Sequence, residues 1–364
     1  MRVNNGVNKG VNKGVNKIYS ASSLNEFIEC INKFSNGDIL WYRGHENQNY
    51  KLMPSLYRDT VVDFLSNKPY NSIHFAEDMR MQQYYAKNYQ FIKDNGMNST
   101  EWLGMAQHFG IKTRFLDWST SAIHALVFAL NQYFDTSAKP STSIPCIWLL
   151  KPQSLNKLIV NRMIKEKNIV DKYIKKSKLT FNEEKHFKDF FKEITTDSDK
   201  INYIFKESNP SNKWGNLDYI YDLAYFDRLI ERIKSNPRLA YSQHVVNPLF
   251  LILSKVYIDG DSLDDDVLSS TPLAIVHPLN SDRIKSQKGV FTIFPFPSSS
   301  HYENSNKNLE YMRMDLNSNI NGMLGKIIIT DAFRISEELK TIGVRKTWLF
   351  YEQEYISKEI ENGL

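Results

Sequence analysis

Three segments of the chain combine charged, amide and hydroxyl side chains in spacings that suit anion binding or a carboxylate-assisted reaction. The first is Trp41-Tyr42-Arg43-Gly44-His45, an apolar run that delivers an arginine. The forked donors of a guanidinium match a pyrophosphate better than the point charge of a lysine does, and Gly44 lets a backbone approach a ligand closely. The alternative for Arg43 is a structural pair with a carboxylate such as Asp117. The second segment runs from Gln107-His108 through Thr113-Arg114-Phe115-Leu116-Asp117-Trp118 to Ser119-Thr120-Ser121. Its polar residues lie between two apolar helical stretches, so they must pair internally or face a cleft. His108 on its own suits a satisfied core histidine better than a catalytic base, and Arg114 and Asp117 can pair with each other. The third is Trp348-Leu349-Phe350-Tyr351-Glu352-Gln353-Glu354. In extended geometry residues two apart share a face, so Glu352 and Glu354 can line one site, unless they are ordinary surface glutamates.

Other familiar sites are missing from the sequence. It holds no Gly-rich phosphate loop, no GxSxG turn, no HExxH helix and no His-Cys cluster. P-loop hydrolysis, zinc chemistry and the α/β-hydrolase mechanism are therefore disfavoured, and no metal site is expected.

The elements that must position these residues follow from capping and periodicity. Ser23, with Glu26 three residues on, predicts a capped helix through Ile31, ended by Asn36-Gly37-Asp38. Residues 39–43 read as a buried strand. Helices are predicted over 72–93 and 100–109, with Gly110 as a stop. Another covers 121–133, apolar nearly all round and entered through hydroxyls suited to an N-terminus, where backbone N–H groups also favour an anion. Strands are expected at 144–150, 272–277, 289–294, 326–330 and 347–351, with a helix over 336–342.

Composition bounds the class. The 364 residues are 41% hydrophobic and 24% charged, enough for one large core or two modest ones. No apolar run approaches the roughly 20 residues that span a bilayer, and the start lacks a signal peptide's apolar stretch, so a cytoplasmic protein is expected. Two cysteines, Cys30 and Cys146, exclude a disulfide framework. A net charge of +5 permits phosphate contact but is too small to identify a nucleic-acid binder. Gly-Val-Asn-Lys occurs three times from Gly6 to Lys17, which reads as a flexible basic tail over 1–20. Residues 151–180 hold nine Lys or Arg and two acids, and 151–240 reads as a helical insertion with a basic face. It divides a domain whose halves are 21–150 and 241–364.

With these residues in view, the chain resembles the FRG-domain proteins. The resemblance rests on Trp41-Tyr42-Arg43-Gly44, Ala106-Gln107-His108-Phe109-Gly110 with Thr113 to Trp118, Arg283-x-x-x-Gln287-x-Gly289-x-Phe291, and Ile342-Gly343 leading to Leu349-Phe350. Where the family commonly has Pro after that last Leu-Phe, this chain has Tyr351. The same segments are similar, in the same order, to the Arg, Ser-Thr-Ser and Glu-x-Glu motifs of mono-ADP-ribosyltransferases.

That second resemblance implies an α+β fold of ADP-ribosyltransferase type, with a mixed or antiparallel sheet, packed helices and the inserted segment. It also implies an enzyme that uses NAD as substrate. Arg43 would hold the phosphates, Ser119 would buttress the nicotinamide-ribose pocket, and Glu352 or Glu354 would stabilise an oxocarbenium-like transition state. Gly44, Gln107, His108, Thr113, Arg114, Thr120 and Ser121 complete the expected cofactor-binding set. Resemblance to FRG proteins suggests a toxin or effector in bacterial anti-phage or toxin-antitoxin defence. The acceptor would be a nucleic acid or a protein, with RNA or DNA slightly favoured, and an antitoxin protein is a possible partner. The competing expectation is a non-enzymatic sensor whose Arg43 pocket binds a nucleotide or nucleic acid.

Overall fold

The computed structural model describes residues 17–58, 69–90, 99–134, 142–165, 267–276, 286–296 and 309–348. Between 171 and 265 it describes only single positions or pairs. The fold is mixed α/β. Its frame is an eight-stranded sheet of β1 (Lys17–Ala21), β2 (Trp41–His45), β3 (Phe115–Ser119), β4 (Cys146–Leu150), β5 (Tyr221–Asp222), β6 (Leu273–Val276), β7 (Gly289–Ile293) and β8 (Leu324–Ile329). The strand order is β1-β8-β4-β2-β3-β7-β6-β5. The outermost pairs, β1 with β8 and β5 with β6, are parallel and the inner pairs antiparallel.

Local sequence explains several elements. Helix α1 (Leu24–Ser35) is capped by Ser23, whose Oγ accepts from Glu26 N at 3.2 Å. The Glu26 carboxylate reaches back one residue further than a capping box requires, accepting from Ser22 N and Ser22 Oγ. Those bonds hold its carboxyl below the usual range. Asn36, at φ 47°, ends the helix in the left-handed region. Downstream come α2 (Ser55–Arg58), α3 (Pro69–Lys87), α4 (Ser99–His108), α5 (Ala122–Ala129), α6 (Pro152–Lys165) and α7 (Ala332–Thr341). Gly110 follows α4 at φ 89°, and Ser121 caps α5.

Both sheet faces are covered. On one, Trp41, Trp118 and Trp148 pack with Leu52, Leu56 and Leu155. On the other, α1, α5 and α7 cover Ile147, Leu149, Ile327 and Ile329. A strand buried on both sides carries apolar residues at every position, as β4 does.

Four expectations are corrected. Lys17–Ser20 are not tail but part of edge strand β1, held in register by Gly325 to Ile329. Residues 115–119, read only as a polar segment between helices, form β3, whose single outward residue is Asp117. The beginning of the segment read as an insertion belongs to the core: Leu155, Ile159, Val160 and Met163 of α6 are buried, and Asn156 bonds Ala274 through both N–H and carbonyl. Lys346–Trp348 forms a 3-10 turn instead of opening a strand. The repeats before residue 17, most of 166–240 and everything from 349 onward, including Glu352 and Glu354, lie outside the described residues.

Candidate functional site

The sheet is weakest between β2 and β3. Each pairs over five residues with its other neighbour, but with one another they share only Tyr42↔Ser119. Beyond that point a guanidinium enters the gap. Arg43 Nη1 donates to the Asp117 carbonyl at 2.6 Å, so a side chain takes up an acceptor lying outside the β2–β3 pairing.

A cavity of about 320 Å³ opens at this gap, near the lower end of the size range of small-molecule sites. Arg43, Gln107, His108, Asp117 and Ser119 line it together with Tyr42, Trp118, Phe128 and Phe291. Each comes from a different constraint. Strand β2 supplies Arg43, the last turn of α4 supplies Gln107 and His108, β3 supplies Asp117 to Ser119, and α5 supplies Phe128.

The polar groups are oriented in a chain. Thr113 Oγ1 accepts from Phe115 N at 3.2 Å and donates to Gln107 Oε1. That fixes the Gln107 amide so that its Nε2 donates to Asp117 Oδ1 at 2.6 Å. Arg43 is held from behind by His45, whose Nε2 faces Arg43 Nε at 3.1 Å, while Trp148 Nε1 points at His45 Nδ1 from 3.2 Å. A neutral imidazole has one in-plane lone pair and accepts from one of these donors at a time; a protonated ring accepts from neither. Burial first, then Arg43, Arg58 and Lys326, push the His45 pKa down to about 2. Burial also lowers the pKa of Arg43, against the opposing pull of Asp117.

Arg43, Gln107, His108 and Ser119 thus line one cleft. Ser119 Oγ donates to Gln287 O at 2.8 Å and accepts from Ser121 N at 3.1 Å, so it braces the cleft wall rather than projecting a free hydroxyl. The expected set is otherwise trimmed. Gly44 lines the cleft, but its missing side chain makes room for a helix, since a Cβ there would lie 2.0 Å from Ala125 O. Arg114 is buried in a different network. It donates to Glu77 Oε2 at 2.7 Å, Tyr257 O at 2.9 Å and Phe294 O at 3.2 Å, and its guanidinium lies 3.6 Å above the Phe296 ring. Its partner is Glu77, not Asp117. Thr113 is buried and acts through Gln107, while Thr120 and Ser121 do not line the cavity.

The Asp117 side chain is 58% exposed, because the strands part beside it. Its pairing with Arg43 is found, together with a bond from Gln107 that sequence spacing did not single out. Tyr42, Phe128 and Phe291 were not named as lining residues beforehand; alternation along β2 and β7 is the signal that could have placed the first and last. Among the described residues no group of three His, Cys, Asp or Glu could hold a metal. Both cysteines are buried, and burial pushes the Cys146 thiol up to about 12.

Fold and site together define a mixed α/β protein with an Arg-lined cleft between two parting strands. Residues 38–138 match the family model of the FRG domain. The span contains every cleft residue except Gln287, Gly289 and Phe291 of the β7 region. No curated protein and no solved structure matches the chain. Among the described residues no helix is long and apolar enough to cross a membrane.

Proposed function

We propose that the cleft binds NAD and that the protein transfers ADP-ribose from it to a macromolecular acceptor. The observation that carries this reading is the placement of Arg43 at the strand gap, with its guanidinium oriented by His45 and the Asp117 carbonyl and with aromatic rings on the cleft walls. A guanidinium so restrained can receive a diphosphate without first being ordered, and flat apolar walls suit the heteroaromatic ends of a dinucleotide. The motif order Arg43, Ser119, Glu352 or Glu354 supplies the rest of the proposal.

In such a transfer the glycosidic bond to nicotinamide breaks and its electron pair leaves with the ring as neutral nicotinamide. The acceptor atom bonds to the same ribose carbon and gives up a proton. Positive charge that develops on the sugar is stabilised by a carboxylate held close to it. The positioned Arg43, Ser119 and Gln107 contribute by orienting the dinucleotide. A role as a defence-system toxin, with RNA or DNA as acceptor, belongs to the same proposal.

Incubation of the full chain with labelled NAD and cell lysate, followed by separate nuclease and protease digestion, tests it. Label that enters macromolecules and is released by nuclease supports a nucleic-acid acceptor. Release by protease redirects the acceptor to protein. Absence of both labelled product and NAD loss leaves the sensor reading in its place.

A further inference from the structure

Arg43 and Asp117 stand side by side as a loose ion pair rather than a bidentate one. Arg43 Nη1 is 3.6 Å from Asp117 Oδ2, too far for a hydrogen bond, and spends its short bond on the Asp117 backbone carbonyl instead. Gln107 takes Oδ1. Among the described residues no donor takes Oδ2 and no acceptor takes Arg43 Nη2. The cleft therefore presents a cationic and an anionic face next to each other, both held in place by neighbours and both bordered by aromatic rings.

A site for a simple anion gains nothing from a carboxylate at this spot, because Asp117 would repel the ligand that Arg43 attracts. A ligand that carries a cation close to its anion satisfies both. NAD in its oxidised form is such a ligand, having a cationic pyridinium beside a diphosphate. Its reduced form has the same diphosphate and a neutral ring. Resting on the reading of the cleft as a dinucleotide site, we infer that Asp117 is a specificity-determining residue that faces the cationic nicotinamide and selects NAD+ over NADH. The ring walls add to this selection, since aromatic faces attract a flat cation more than its neutral counterpart. Thr113 and Gln107 serve as positioning residues for the carboxylate.

Equilibrium binding of NAD+ and of NADH to the full chain, compared among wild type, D117N and R43K, tests the inference. The asparagine keeps an oxygen to accept from Gln107 and removes only the charge, and D117S serves if D117N does not fold. Wild type should prefer NAD+ by about tenfold or more, as expected for one nearby charge in a partly solvated cleft. D117N should bring that ratio close to one. R43K should weaken both ligands and leave the ratio in place. Binding of both ligands by wild type with equal affinity, or an unchanged preference in D117N, overturns the role of Asp117. Binding of neither ligand by wild type overturns the dinucleotide reading itself.

Discussion

His45 shows how much one side chain can depend on what surrounds it. It is 6% exposed, faces two N–H donors and lies in the field of Arg43, Arg58 and Lys326. Its folded pKa lies far below the value of 6.5 that it has when unfolded, so below pH 6.5 the unfolded chain binds a proton that the folded chain does not. The stability contribution is complete above pH 6.5 and is lost as pH falls from there towards about 2. The loss is about 1.4 kcal/mol per pH unit. H45Q keeps an acceptor for Arg43 and has nothing to titrate. Urea unfolding between pH 7 and pH 4 should therefore show wild type losing ground against H45Q at about that slope, whereas a constant difference would mean that His45 is charged in the fold. Residue chemistry was only partly legible in advance. The arginine of Tyr42-Arg43-Gly44 could be picked out because an apolar strand rarely ends in one without a purpose. The partner of Arg114 could not, because Glu77 lies on a separate helix and nothing local connects the two. The exposure of Asp117 follows from strands that part, a property of the sheet rather than of the segment that contains it.

Elements fixed by their own ends were readable from sequence. Ser23 and Asn36 bracket α1, Gly110 stops α4 and Ser121 starts α5, each through a cap or a positive φ that belongs to the residue itself. Strand β3 was not, because four of its five residues are buried and no alternation marks it. Edge strand β1 was missed for a different reason. Its ladder partner is β8 at the far end of the chain, and Lys-Ile-Tyr-Ser-Ala carries little signal alone. Gly44 belongs at this scale too. Sequence gave it a ligand to approach, whereas the structure packs the α5 backbone against it. G44A should force α5 away from β2 and lower stability by about 3 kcal/mol or more, the upper end of overpacking. G322A is the comparison, since Gly322 has φ +79° and open space around it, and backbone strain alone should cost about 1–2 kcal/mol there. Similar midpoints for the two variants in denaturant unfolding would show that α5 does not press on β2.

At the scale of the whole molecule, the sheet holds six antiparallel inner strands in register and opens at one interior seam, and the cleft lies at that seam. The span that matches the FRG family model supplies both lips of the opening, while β7, from the C-terminal half, closes the far wall. The half-sheets on either side are tied together by a single backbone pair, by the Arg43 guanidinium and by helix α5 packed across β2 and β3. Arg43 is thus a brace and, in the function proposed above, the group offered to the dinucleotide, which makes its conservative replacement the most direct probe of the account. An ammonium can replace part of the charge but not the fork that spans His45, the Asp117 carbonyl and a diphosphate. The decisive measurement is nicotinamide release from NAD by wild type and R43K at matched folded fraction, established by melting temperature. Release by wild type, with a loss of about a hundredfold or more in R43K and a preserved fold, is the predicted result. Release by R43K at the wild-type rate would contradict it.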